Sequence, residues 1–168
     1  MSDPSPLGRY DDSSAPDELF DVELRNVPVR VLVAGREHHD ELMREFALLA
    51  LSGGADGPNV PARLVELTQT LGVRYGGATS RPDELVDAAA ARGEDVIELS
   101  YRVPAHVSDA ASTLDQLLKE ADDFCRAEQL LTVERSAVII AFGQWYCEEF
   151  QRQVAGQPPR PWDGPLDP

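Results

Sequence analysis

Apolar and polar positions recur with a definite period along most of the chain, and the period changes several times. From Val22 to Val33 the apolar residues Val22, Leu24, Val27, Val29, Val31 and Val33 fall on a partly alternating pattern, which predicts extended backbone. Pro28 interrupts it. Lacking an N–H, it cannot donate to a ladder, so an edge strand or a bent pair of short strands is expected. After Gly35 the spacing becomes helical: Leu42, Met43, Phe46, Leu49 and Ala50 share one stripe, which the Gly53-Gly54 pair ends. A second helix is expected from Pro61, with Leu64, Val65, Leu67 and Leu71 ahead of Gly72. A third, short one opens at Ser80-Arg81-Pro82-Asp83, where hydroxyl and carboxylate can accept from first-turn amides, and stops at Gly93.

Val96, Ile97, Leu99, Tyr101 and Val103 predict another strand, terminated by Pro104. Behind it lies the strongest amphipathic pattern, with Val107, Ala110, Leu114, Leu117, Leu118, Ala121 and Cys125 on one face and Asp115, Lys119, Glu120, Asp122 and Asp123 opposite. Thr132 is the expected cap of a last helix carrying Val133, Ala137, Val138, Ile140, Ala141, Trp145, Phe150 and Val154, which Gly156 and Pro158-Pro159 end. The predicted fold class is α+β and predominantly helical: about five helices packed on a small sheet of short strands, in a single globular domain over residues 21–156. Residues 1–20, rich in proline, serine and acids, have no period that could bury a face and are expected to be a disordered acidic tail. Residues 157–168 are expected to be a Pro-rich tail without fixed structure. Val22-Glu23-Leu24 with Val27-Pro28 echoes Ile97-Glu98-Leu99 with Val103-Pro104. Either 21–93 and 94–156 are two related halves sharing one sheet, or strand, proline, helix is common punctuation.

Composition narrows the function classes. With 168 residues and 42% apolar content the chain can close a core without a metal or disulfide staple, and Cys125 and Cys147, set in apolar stretches without nearby Cys or His, read as reduced core thiols. Thirty acidic against fifteen basic side chains give a formal charge of −15, which opposes binding to nucleic acid and to anionic membrane surfaces. No apolar run approaches the roughly 18 residues of a membrane span and no basic-then-apolar leader opens the sequence, so a cytoplasmic protein is expected.

The densest polar cluster is Arg36-Glu37-His38-His39-Asp40-Glu41. Three readings compete for it: a phosphoacceptor histidine at a helix start, a partial metal set using His38 or His39 with Glu41, and a solvated first turn whose acids offset the helix dipole. The last is favoured, because the rest of a dimerising two-helix hairpin pattern is missing for the first and adjacent histidines project about 100° apart on a helix, which leaves the second incomplete. His106 is read as an ordinary loop histidine. The glycine-rich runs 53–57 and 72–77 have no lysine placed to meet phosphate and read as flexible connections. The doublets Asp122-Asp123 and Glu148-Glu149 read as wet faces. No metal or cofactor is expected.

From Ile97 to Glu149, the order strand, Val-Pro, amphipathic helix, short connection and apolar helix resembles the serine-kinase anti-sigma-factor branch of the bacterial GHKL ATPases. The resemblance covers about a third of the chain. Laying Ala141 to Glu148 on the family's motif puts Gln144 where the family has a general-base glutamate and Glu148 where it has a magnesium-holding asparagine. Glutamine cannot take up a proton as a carboxylate does, and the aspartate-glycine and glycine-rich lid segments do not follow. The resemblance therefore implies a degenerate, truncated, non-catalytic relative.

The expected function is a regulatory or adaptor protein acting by protein–protein interaction, with bacterial sigma-factor or stress signalling as the implied setting. The partner should have a basic surface, and Tyr146 and Trp162 are the expected exposed contacts, while Trp145 and Phe150 read as core. The competing expectation is a small-ligand or nucleotide-binding domain or enzyme with a pocket between sheet and helices, using His38, His39 or Glu148.

Overall fold

The computed structural model describes residues 18–51, 69, 81–126 and 131–168. Strand β1 (Leu19–Pro28) leads into helix α1 (Val29–Leu51). A short helix α2 (81–92) precedes strand β2 (Val96–Pro104), which is followed by α3 (Val107–Arg126) and α4 (Ala137–Val154). Among the described residues, then, four helices accompany a two-stranded antiparallel sheet, a mostly helical α+β arrangement. The expected helix from Pro61 and the glycine-rich runs fall outside the described residues, apart from Gln69, which is helical. So does most of the expected acidic tail, but its boundary moves: Leu19 and Phe20 already belong to β1. None of the described helices is long and apolar enough to cross a membrane.

The expected strand from Val22 to Val33 divides at Pro28. Val29, Val31 and Val33 are helical despite their β-branched side chains, because Val31, Leu42 and the small Gly35 recur at helical spacing and Val31 and Leu42 are fully buried. Tertiary burial overrides a propensity difference of only tenths of a kcal/mol per residue. The Val29 N–H donates to the Asp95 carbonyl, fixing the start of α1 beside the start of β2.

Three positions of β1 face the core, Val22, Leu24 and Val27, and the last is out of step with strict alternation. A bulge between Leu24 and Val27 absorbs the extra residue, with Asn26 in the left-handed region at φ 58°. Without it Val27 would turn to solvent. Asn26 suits the position: its N–H donates to Glu98 Oε1 and its side-chain amide to the Trp162 carbonyl. The two look-alike segments pair with each other, and Leu24 lies directly opposite Leu99.

The inner face of the sheet packs on Val31 of α1, Val86 of α2, and Phe142, Trp145 and Phe150 of α4. A smaller cluster, Leu42 with Leu117, Ala121 and Cys125, joins α1 to α3. The outer face is polar and exposed, with Asp21, Glu23 and Arg25 on β1 and Glu98, Ser100 and Arg102 on β2. α2 ends as expected at Gly93, whose φ of 69° lets the Gly93 and Glu94 amides close on Ala90 and Ala89. α4 starts later than Thr132: Ser136 is the N-cap and accepts from the Ile139 N–H. Thr132 instead donates its N–H and hydroxyl to Glu45 of α1, at 2.8 and 2.6 Å, pinning the α3–α4 connection to α1.

Residues 157–168 differ most from expectation. They form neither helix nor strand, yet Trp162 is buried in the main core, edge-on to Phe142 at 5.5 Å and to Trp145 at 5.7 Å. Its backbone N–H donates to the Arg25 carbonyl on the edge of β1 and its indole N–H to the Pro165 carbonyl. Gly164 lets the chain turn back over the ring, since any Cβ there would overlap the indole. Prolines 158, 159 and 161 supply little conformational freedom to lose, so an extended strap is cheaply ordered.

Candidate functional site

α1, α3 and α4 splay to leave a cleft of about 290 Å³. α1 brings Arg36, His38 and His39 to it, α3 brings Leu114 and Leu118, and α4 brings Phe142 and Tyr146. It therefore lies among the helices and not, as expected, between helices and sheet. Both histidines line it, because the cleft spans the angle that separates adjacent helical side chains.

Three of its polar groups, Arg135, Arg36 and Tyr146, are each engaged by a partner beside the cleft. Arg135, just ahead of α4, is almost completely buried and grips Asp122 of α3 with Nη2 at 2.6 Å from Oδ2 and Nε at 3.1 Å from both oxygens. Such a two-pronged pair neutralises both charges and locks α3 to α4. Gly143 leaves room for it: an added Cβ would lie 3.3 Å from Arg135 Nη1. Arg36 reaches across to α2, hydrogen-bonding Asp83 and lying 3.6 Å from Asp87. Tyr146 donates its hydroxyl to that of Tyr101 at 2.9 Å.

Burial sets the protonation states. It lowers the pKa of His38, with the nearby Arg135 charge acting in the same direction, and it lowers that of His39, so both imidazoles are neutral at pH 7. Burial lifts the Tyr146 phenol well above its usual range, raises Tyr101, and pushes the Cys147 thiol up to about 12. Cys125 is raised by burial and by the carboxylates of Asp122, Glu45 and Glu134. Both cysteines are free and buried, and both are held as thiols, the unreactive form. Among the described residues no group of three or more His, Cys, Asp or Glu is placed to hold a metal ion.

The other expected site residues are scattered. Glu148 is exposed and ion-paired to Arg160 at 2.9 Å, and neither it nor Gln144 lines the cleft. Tyr146 lines the cleft half-buried, tied to Tyr101 and tilted against Phe150 at 5.2 Å, and does not stand out from the surface. Trp162 is a core residue, so its reading as an exposed contact is corrected; the strap that carries it is drawn in by the Glu149 carboxylate, which accepts from the Arg160 N–H.

Two buried carboxylates were missed. Asp122 sits one residue after Ala121 and three before Cys125, and Glu149 four after Trp145 and beside Phe150. Their positions within the apolar stripes were the available signal. Glu149 is fully buried, and its Oε2 accepts from Gln153 Nε2 and from the Arg160 N–H. Gln153 in turn spans both backbone groups of Glu23 at 2.8 Å, as a neighbouring strand would.

No family model matches the chain, and no curated protein or solved structure does either.

Proposed function

We propose that this chain is a non-catalytic regulatory or adaptor protein that works by binding another protein. The observation that carries the reading is that both arginines and the tyrosine of the cleft are already taken by partners beside it. Arg135 is closed on Asp122, Arg36 on Asp83 and Tyr146 on Tyr101, which leaves two neutral imidazoles and the Asp40 carboxylate over an apolar floor. A phosphate-bearing substrate would have to break the arginine pairs, and the thiols are held protonated. The partner is inferred from charge. At −15, with Asp83, Glu84 and Asp87 on α2 and Asp109 and Asp123 on α3 exposed, the surface favours a basic protein and steers it at long range.

The test is capture of partners on the immobilised full chain over a salt series. Retention of a basic protein that weakens steeply between about 50 and 500 mM salt supports the reading, since screening shortens the reach of exposed charge. The competing reading, a small-ligand domain, is favoured by the cleft itself and is separated by thermal shift. A rise in melting temperature with ATP–magnesium or zinc, lost on changing Glu148 or His38 and His39 respectively, replaces the proposal with it.

A further inference from the structure

The two edges of the sheet are treated differently by the fold. The N–H and C=O of Glu23 both go to Gln153, and the carbonyl of Arg25 accepts from the Trp162 N–H, so the outer edge of β1 is occupied at Glu23 and Arg25. Glu23 is therefore a residue whose backbone groups point away from β2. Its cross-strand partner is Ser100, and in an antiparallel ladder such a partner also points its backbone groups outward. By the two-residue repeat, Glu98 and Arg102 do the same. Among the described residues no hydrogen bond reaches the backbone of Glu98, Ser100 or Arg102 on that side, and the sheet ends at β2. An open edge of this length is a template for a further strand.

The sequence along the edge says which strand. We infer that β2 pairs antiparallel with β2 of a second copy, on a two-fold axis through Ser100, to give a continuous four-stranded sheet. In that register Ser100 faces itself and Glu98 faces Arg102 twice, once on each side of the axis. The three central outward-pointing positions then meet outward-pointing partners, as ladder hydrogen bonding requires, and Pro104, which has no N–H, falls opposite Val96 at the two ends of the pairing. The neighbouring registers are poorer. A shift of two residues one way sets Glu98 against Ser100 and leaves Arg102 opposite Val96. The same shift the other way sets Glu98 against Pro104, which has no N–H. A shift of four sets Glu98 against Glu98 or Arg102 against Arg102, and like charges directly opposite destabilise.

The side chains are available for this. Glu98 uses Oε1 for the Asn26 N–H, and among the described residues Oε2 has no partner; Arg102 is exposed and forms no ion pair there. The two-fold is perpendicular to the sheet, so the polar outer faces of both copies stay on one side and the helices on the other. The interface is isologous, which closes the assembly at two copies.

Sedimentation velocity on the full chain, from about 1 to 200 µM, tests the inference with three proteins. Wild type should be a concentration-dependent dimer. Arg102→Glu sets Glu98 against a glutamate at both symmetric positions and should weaken dimerisation on the order of tenfold or more. The swap Glu98→Arg with Arg102→Glu restores opposite charges and should restore the dimer, with circular dichroism confirming that all three are folded. A wild type that stays monomeric throughout, a dimer indifferent to Arg102→Glu, or a swap that fails to rescue while folded would each overturn it.

Discussion

The acidic doublets Asp122-Asp123 on α3 and Glu148-Glu149 on α4 look alike in sequence, and in each the fold buries one carboxylate and leaves the other in water. The buried members are handled differently. Asp122 meets a single guanidinium that is as buried as itself, with side-chain exposures of 6% and 7%, in a closed pair. Glu149 has no exposure at all, but its cations, Arg152 and Arg160, are 29% and 44% exposed and stand 3.5 and 3.3 Å from its Oε1. That oxygen has no hydrogen-bond partner among the described residues, and neither does Arg152 Nε. The first arrangement is a bolt between two helices. The second is a junction where helix, strand and strap meet, through Gln153, Glu23 and Arg160.

The sharpest way to break the comparison is Asp122→Ala. It strands Arg135 in the interior, and chemical denaturation should show a loss of about 3–5 kcal/mol. Replacing both partners by apolar residues, Asp122→Leu with Arg135→Met, should cost less than that single change, because no uncompensated charge remains. Glu149→Ala should cost about 1–3 kcal/mol, the lower range expected because Arg152 and Arg160 can turn to water while only the Arg160 amide and the Gln153 amide lose an acceptor. Glu149→Gln, which keeps an acceptor, should lose less. If Glu149→Ala proves costlier than Asp122→Ala, the junction is the stronger device and the ranking inverts.

Gln153→Ala should cost about 1–2 kcal/mol by leaving the Glu23 peptide without a partner, and hydrogen exchange at the Glu23 amide should accelerate with it. The smallest effect belongs to pH. His38 and His39 have folded pKa values below their unfolded ones, so below about pH 6.5 the unfolded chain binds protons more readily than the folded one. Their contribution is present above that pH and is lost as pH falls toward the folded values. Melting temperature measured from pH 7.5 to 5 should therefore fall less in His38→Gln/His39→Gln than in wild type.

Much of the fold could be read from periodicity. β2, α2 and α3 lie close to where their patterns put them, because one face of each is unambiguously apolar and glycine or proline marks an end. α1 was misread at its start because valines serve a buried helix as well as a strand, and the bulge at Asn26 could not be anticipated because it answers a register set by the partner strand. The strap was missed for a different reason. Proline-rich composition signals the absence of regular elements, and Trp162 shows that a segment without them can still fill a core. The cleft could be read only in part. His38 and His39 were visible as a cluster, whereas Arg135 closing on Asp122 depends on how two helices meet.

Trp145 and Trp162 are the only tryptophans in the sequence, and they stand edge-on at 5.7 Å, one on α4 and the other on the strap. Every indole photon the protein emits thus originates at one seam. At this separation the two transition dipoles couple, so the near-ultraviolet dichroism carries a signature that vanishes when the strap lifts away, even while the helices persist. The molecule holds an intrinsic optical gauge of whether its last segment is seated, readable without any label.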